Sequence, residues 1–231
     1  VETPGTSRHV GGNPLWLSPK SPKHYFPQIL IFVKNSKMST SIATIEPKPK
    51  APVRQPRRVS KARFLKEYAD REDGYKYEWN DGVIEKYQGM NQQQAEIYFL
   101  LMAYFQKTEA SKTGGGLITE TDMLTTPNQL RRPDISFYTG EQRRLMKLSE
   151  NQIAPWVAEV ISPSDNANKI NSKLDEYFLA GVQVVWHIFP ESKQVYVYTS
   201  PESVTICRGQ TLCSAAPALP DLVISAEVLF G

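Results

Sequence analysis

The chain has 231 residues, 40% of them hydrophobic, and a net charge of +3, enough for one sizeable domain plus a tail or at most two small domains. The charge is divided: residues 1–66 hold 13 lysines and arginines against 2 acidic residues, and residues 67–231 hold 14 against 22, or +11 and −8. An acidic body argues against a broad basic DNA-binding face, and no run approaches the ~18 consecutive apolar residues that a membrane span needs.

The first sixty residues read as a tail. Nine prolines fall between positions 4 and 56, and the run Lys48-Pro49-Lys50-Ala51-Pro52 suits neither a packed helix nor a central strand. Residues 1–59 are therefore expected to be a disordered, basic, proline-rich tail, and residues 60–231 the folded domain. Met38-Ser39-Thr40 would open a natural N-terminus, with residues 1–37 coming from an upstream start. The apolar run 25–33 follows Lys20 and Lys23, as in a signal peptide, but it contains Pro27 and meets Lys34 directly; a cytoplasmic protein is the expectation. The tail is either a plain linker or, through Lys48, Lys50, Arg54, Arg57, Arg58, Lys61 and Arg63, a source of salt-dependent affinity for nucleic acid.

Order is expected from Ser60, which caps a short helix reaching about residue 70. Residues 75–80 and 83–87 flank Asp81-Gly82, a dipeptide that supplies the positive φ angles of a two-residue hairpin turn. Residues 91–108 form a helix with Ile97, Leu101, Tyr104 and Phe105 at helical spacing, broken off at Gly114-Gly115-Gly116. Residues 117–124 and 132–138 read as strands, and 140–150 as a polar loop or short helix. A strong strand at 156–161 precedes a helix at 165–180 with Ile170, Leu174, Tyr177 and Phe178 inward and Gly181 at the C-terminal cap position. The near-continuous apolar run 182–189 suits a strand covered on both faces. Strands at 194–199 and 204–207 and a last helical turn at 225–230 follow. This order predicts an α/β core with a mixed central sheet flanked by helices.

Cys207 and Cys213 have no histidine or cysteine cluster beside them, so reduced structural thiols are expected rather than a zinc site. His9, His24 and His187 offer no catalytic pair, and His187 in its apolar strand reads as structural. The chemistry instead points to carboxylates. Asp134 shares a strand face with Ser136 and Tyr138, and Glu159 shares one with Val157 and Ile161. A carboxylate among apolar neighbours is costly unless compensated, and a divalent cation is one such compensation. If the two strands are neighbours, the carboxylates meet near one end of the sheet, where two suffice to hold a Mg²⁺ that keeps several waters. Lys173 lies about 60° from Ile170 around its helix, at the edge of the apolar stripe, where it would hold or deprotonate an attacking water or stabilise a leaving oxyanion. Two carboxylates and a lysine are a set for metal-assisted phosphodiester hydrolysis.

The segments LRRPDISFY, PWVAEVISPSD and NSKLDEYFLAGVQVVWHIFP, with the YEWNDGVIE hairpin, resemble the restriction-endonuclease-like Uma2 family of the PD-(D/E)XK nuclease superfamily, from about Lys61 to the C-terminus. The resemblance implies a restriction-endonuclease-like core and Mg²⁺-dependent (or Mn²⁺-dependent) cleavage of DNA, with a homodimer as a further expectation. Asp134 and Glu159 match the acidic positions. Ile161 stands where the usual lysine would follow the glutamate, and Lys173 on the next helix matches its relocated place. Superfamily members often use a further acid on the first core helix, so the resemblance implies a third ligand; here Glu96 is the nearest candidate, with Glu120 and Asp122 as alternatives. Arg131, Arg132 and Lys169 are candidate nucleic-acid contacts. The rival reading keeps the fold without the chemistry, as a module that binds DNA or a protein partner.

Overall fold

The computed structural model describes residues 57–231; the expectations for the tail, including Met38, Lys48, Lys50 and the two early histidines, lie outside the described residues. The chain runs α1 (Lys61–Glu67), β1 (Tyr75–Asn80), β2 (Val83–Gln88), α2 (Gln92–Phe105), α3 (Glu109–Lys112), β3 (Gly116–Thr119), β4 (Met123–Thr126), β5 (Gln129–Arg131), β6 (Ile135–Tyr138) and α4 (Gly140–Met146). It continues through β7 (Trp156–Val160), α5 (Ala167–Ala180), β8 (Val184–Phe189), β9 (Gln194–Ser200), β10 (Ser203–Arg208), β11 (Leu212–Ala215), β12 (Leu219–Ser225) and α6 (Ala226–Phe230).

The centre is a six-stranded sheet in the order β10-β9-β8-β7-β6-β3. Only β7 and β8 run parallel, joined by α5; the other pairs are antiparallel. Side-chain alternation divides each central strand between two cores. Trp156, Ala158 and Val160 of β7 join Val184, Trp186 and Ile188 of β8 and Ile135 and Phe137 of β6 beneath α2 and the β11–β12 hairpin. On the opposite face Val157, Val185 and Tyr138 pack with Leu174 and Tyr177 of α5 and Met123 of β4. Burial on both faces explains why the strand sequences read as apolar runs.

The second sheet has the order β2-β1-β5-β4. Its β1–β2 turn places Asp81 at φ 45° and Gly82 at φ 83°, the left-handed pair that a two-residue turn requires. Tyr77 and Trp79 of β1 pack with Phe64 of α1 and Leu130 of β5. By alternation, Lys76 and Glu78 project to the other side, toward the larger sheet. Gly181 ends α5 at φ 107°, a left-handed cap that costs an L-residue more than glycine.

Three expectations change. The strand expected at 117–124 is two strands in different sheets, β3 against β6 and β4 against β5; the chain crosses between them through Glu120, at φ 47°. Glu120 and Asp122 therefore share no strand face. Strand β6 begins at Ile135, leaving Asp134 as the residue that leads into it. The β11–β12 pair was not foreseen, because Pro217 and Pro220 disguise a hairpin whose Cys213, Leu222 and Ile224 close the core. No described helix is long and apolar enough to cross a membrane.

Candidate active site

Strands β6 and β7 pair antiparallel with Ile135 opposite Ala158. One step further, Asp134 stands opposite Glu159, on the face beneath α5. Its Oδ2 accepts the Val160 N–H at 2.7 Å, which fixes the carboxylate at the edge of β7. Both acids are buried, Asp134 at 4% exposure and Glu159 at 7%. Burial pushes the Asp134 carboxyl above its usual range, with Lys76 opposing. Burial also acts upward on Glu159, but Lys173 and then Lys76 outweigh it and hold that carboxyl down at about 2.

Lys173, in the second turn of α5, lies with its Nζ 2.8 Å from Glu159 Oε1. The same ammonium donates to Glu78 Oε1 at 3.0 Å. Tyr177, one turn on, donates its hydroxyl to Glu159 Oε1 at 2.6 Å. Burial alone would lower the Lys173 pKa, but Glu159 and Glu78 raise it above the ordinary lysine value. These contacts favour the ammonium form of Lys173, which suits orientation and charge stabilisation.

Sequence reasoning missed Lys76. This β1 residue is 5% exposed, and its Nζ donates to Asp134 Oδ1 and, at 3.1 Å, to Arg132 O. It stands 3.8 Å from Glu159 Oε2. In the sequence Tyr75-Lys76-Tyr77-Glu78 the alternation is visible, but it reads as the wet face of a hairpin. The packing of the small sheet on the large one makes that face interior.

The same packing corrects the reading of Arg131 as a nucleic-acid contact. It is 1% exposed and forks onto Glu176 with Nε and Nη2, at 3.0 and 2.6 Å. Its Nη1 reaches Glu85 at 2.7 Å and Glu78 at 3.2 Å. Glu176 is consequently turned inward on α5 and buried. Arg132 is also engaged, with Asp122 at 2.7 Å and the Ala69 carbonyl at 2.7 Å, so neither arginine is presented to a ligand. Lys169 differs: its side chain is 55% exposed and pairs with Glu85 at 3.1 Å on the rim of the cleft.

None of the three further acids reaches the site. Glu96 is exposed on α2 and is not part of the cleft wall. Glu120 accepts the Met90 N–H at 3.0 Å, and Asp122 is committed to Arg132. Among the described residues no group of three or more histidines, cysteines and acids is disposed to hold a metal.

Asp134, Glu159, Lys76 and Lys173 line one cleft of about 370 Å³. Its walls come from the end of β7 (Val160 to Ser162), the start of α5 (Asn166, Lys169), the end of β2 (Lys86, Tyr87) and the start of α2 (Asn91, Gln94). Such crevices at the carboxyl ends of parallel strands are common ligand sites. Gln94 serves also as the capping-box partner of Asn91. His187 closes the rear: it is 2% exposed, packs edge-on to Tyr198, and burial lowers its pKa to about 4. A neutral, packed imidazole agrees with a structural role.

Residues 63–227 match a family model, Uma2, described as "Putative restriction endonuclease". The fold is also similar to the crystal structure of a "putative nuclease belonging to DUF820" from Anabaena variabilis, with a TM-score of 0.61 and 19% identity over 72% of this chain and 94% of that one. No curated protein matches the chain.

Proposed function

The chain belongs to the Uma2 family of restriction-endonuclease-like proteins, and we propose that it is a Mg²⁺-dependent endonuclease that hydrolyses DNA phosphodiester bonds at the Asp134–Glu159 cleft. One observation carries the reading: two buried carboxylates, one leading into β6 and one on β7, turn oxygens toward a common point, where a cation, the Lys76 ammonium, already meets them. That donor set fits a hard divalent ion, which takes oxygen ligands and needs only one or two carboxylates beside waters and substrate phosphate. Asp134 and Glu159 would hold it. Bound there, the ion would acidify a water and neutralise charge gathering on the phosphoryl oxygens.

The remaining work belongs to the chain. Val160 N–H orients Asp134, and Tyr177 with Lys173 orients Glu159, so neither carboxylate needs to reorganise when the reaction begins. Lys173 adds a fixed positive charge beside the scissile group. Lys86 and Lys169 on the rim offer contacts to the DNA backbone, in place of the arginines expected to do so.

The test is plasmid cleavage by purified protein in Mg²⁺, Mn²⁺ or EDTA, beside Asp134→Asn. Cutting that needs the metal and disappears in the variant supports the assignment. Nicking that persists in the variant would indicate a contaminant and defeat it. A second reading, a module that binds DNA or a protein without cutting, draws on the Lys76 ammonium occupying the space between the carboxylates; absence of cutting across varied substrates would favour it.

A further inference from the structure

We propose that Lys76 is the counter-ion that a divalent metal must displace, so that a residue of the N-terminal hairpin sets the metal affinity of the Asp134–Glu159 pair. The proposal rests on the metal-dependent reading above and adds a residue that neither the family motif nor the sequence pointed to.

The two lysines of the site divide the oxygens between them. Lys173 takes Glu159 Oε1, together with Glu78 Oε1. Lys76 takes the side facing Asp134: Asp134 Oδ1, the Arg132 carbonyl at 3.1 Å, and Glu159 Oε2 at 3.8 Å. Two carboxylate oxygens and a carbonyl are the kind of donors that a hard cation selects. The Lys76 ammonium donates to Asp134 Oδ1 and the Arg132 carbonyl and pairs at longer range with Glu159 Oε2, and so stands in the metal's stead. A divalent ion at the same oxygens would repel it, since like charges a few ångströms apart in a dry site interact strongly.

The displaced ammonium has a place to go. Its Nζ already lies 5.8 Å from the centre of the Tyr87 ring, a ring that also has Lys173 Nζ at 5.2 Å and Lys169 Nζ at 5.9 Å and whose face attracts cations at such distances. Tyr87 borders the open cleft, and four rotatable bonds let the lysine head swing while β1 stays paired on both sides. Lys173 has no such conflict, because its oxygens are not those shared with Asp134.

The experiment is Mn²⁺ binding by calorimetry at fixed ionic strength, on the full chain, Lys76→Met, and Lys76→Met with Asp134→Asn. Lys76→Met should bind Mn²⁺ at least about tenfold more tightly than the parent, and the added Asp134→Asn should remove the gain. Equal or weaker binding by Lys76→Met, still sensitive to Asp134→Asn, would overturn the role of Lys76 while leaving the metal site in place. Binding by none of the proteins would overturn both. Because Lys76→Met leaves buried carboxylates short of a cation, the unaltered protein supplies an independent measurement: reductive methylation read by mass spectrometry. Lys76 should be protected in EDTA and become several-fold more reactive in saturating MgCl₂, with Lys173 unchanged. Equal reactivity in both conditions, or a rise shared with Lys173, would overturn the proposal.

Discussion

Asp134 and Glu159 face each other across β6 and β7, one register step beyond the Ile135–Ala158 pair, and the Asp134 carboxylate is pinned by the Val160 N–H at 2.7 Å. Residues that are 25 positions apart in sequence are thereby held on the same face of the sheet, at the mouth of one cleft. Removing either carboxylate should abolish cleavage without rearranging the sheet. Asp134→Asn is expected to lower Mg²⁺-dependent DNA cleavage by at least about 100-fold, since it weakens a metal ligand and the charge stabilisation it supports; single-turnover plasmid assays with a matched circular-dichroism spectrum check this.

Lys173 is held as a cation by Glu159 and Glu78. Lys173→Met should therefore lower cleavage by roughly 100-fold or more, while Mn²⁺ binding persists because Asp134 and Glu159 remain. Lys173→Arg, which keeps the charge, should retain more activity than Lys173→Met. Rates at saturating metal, beside Mn²⁺ titrations, separate lost chemistry from lost binding.

Arg131 is the hub of the buried charges, forking onto Glu176 and reaching Glu78 and Glu85. Arg131→Met should destabilise the domain by about 3–5 kcal/mol, because it leaves the buried Glu176 without a cation, while Glu78 and Glu85 keep Lys173 and Lys169. Urea unfolding measures the loss. A loss under about 1 kcal/mol would mean that the glutamates are hydrated, contrary to the burial seen here.

His187 keeps its proton off until about pH 4, because burial disfavours the charged ring. In the unfolded chain a histidine takes up a proton near pH 6.5, so between these values the unfolded state binds more protons. Stability should fall as pH drops from about 6.5 to 4, and the histidine's share of that fall is about 3 kcal/mol. His187→Gln should flatten the stability–pH curve in that window, as read by denaturant midpoints at each pH; parallel curves for the two proteins would refute it.

Lys86 and Lys169 stand on the rim of the cleft, the first exposed and the second half-exposed. If they contact phosphates, each alanine substitution should reduce the slope of log K against log salt by about 1 while leaving any sequence preference intact. Fluorescence anisotropy with a duplex at several salt concentrations gives the slopes.

Much of this molecule was legible in the chain. The Asp81-Gly82 turn, the apolar runs of β7 and β8, the Ile97/Leu101 spacing of α2 and the Gly181 cap are local signals, set by φ preferences and side-chain period. They were sufficient to anticipate the α/β core, while carboxylates set in apolar strands and the family resemblance singled out Asp134, Glu159 and Lys173, which all line one cleft of the folded chain. What the sequence alone could not decide was sidedness across layers. Lys76, Glu78 and Arg131 look like solvent-facing charges of a hairpin and a short strand, and they become interior only because the small sheet stacks on the large one and closes their route to water. The same long-range packing sends Glu120 and Asp122 into a crossover and turns Glu176 inward. Periodicity fixes which residues share a face, but only the docking of one layer on another decides whether that face meets water or a buried opposite charge.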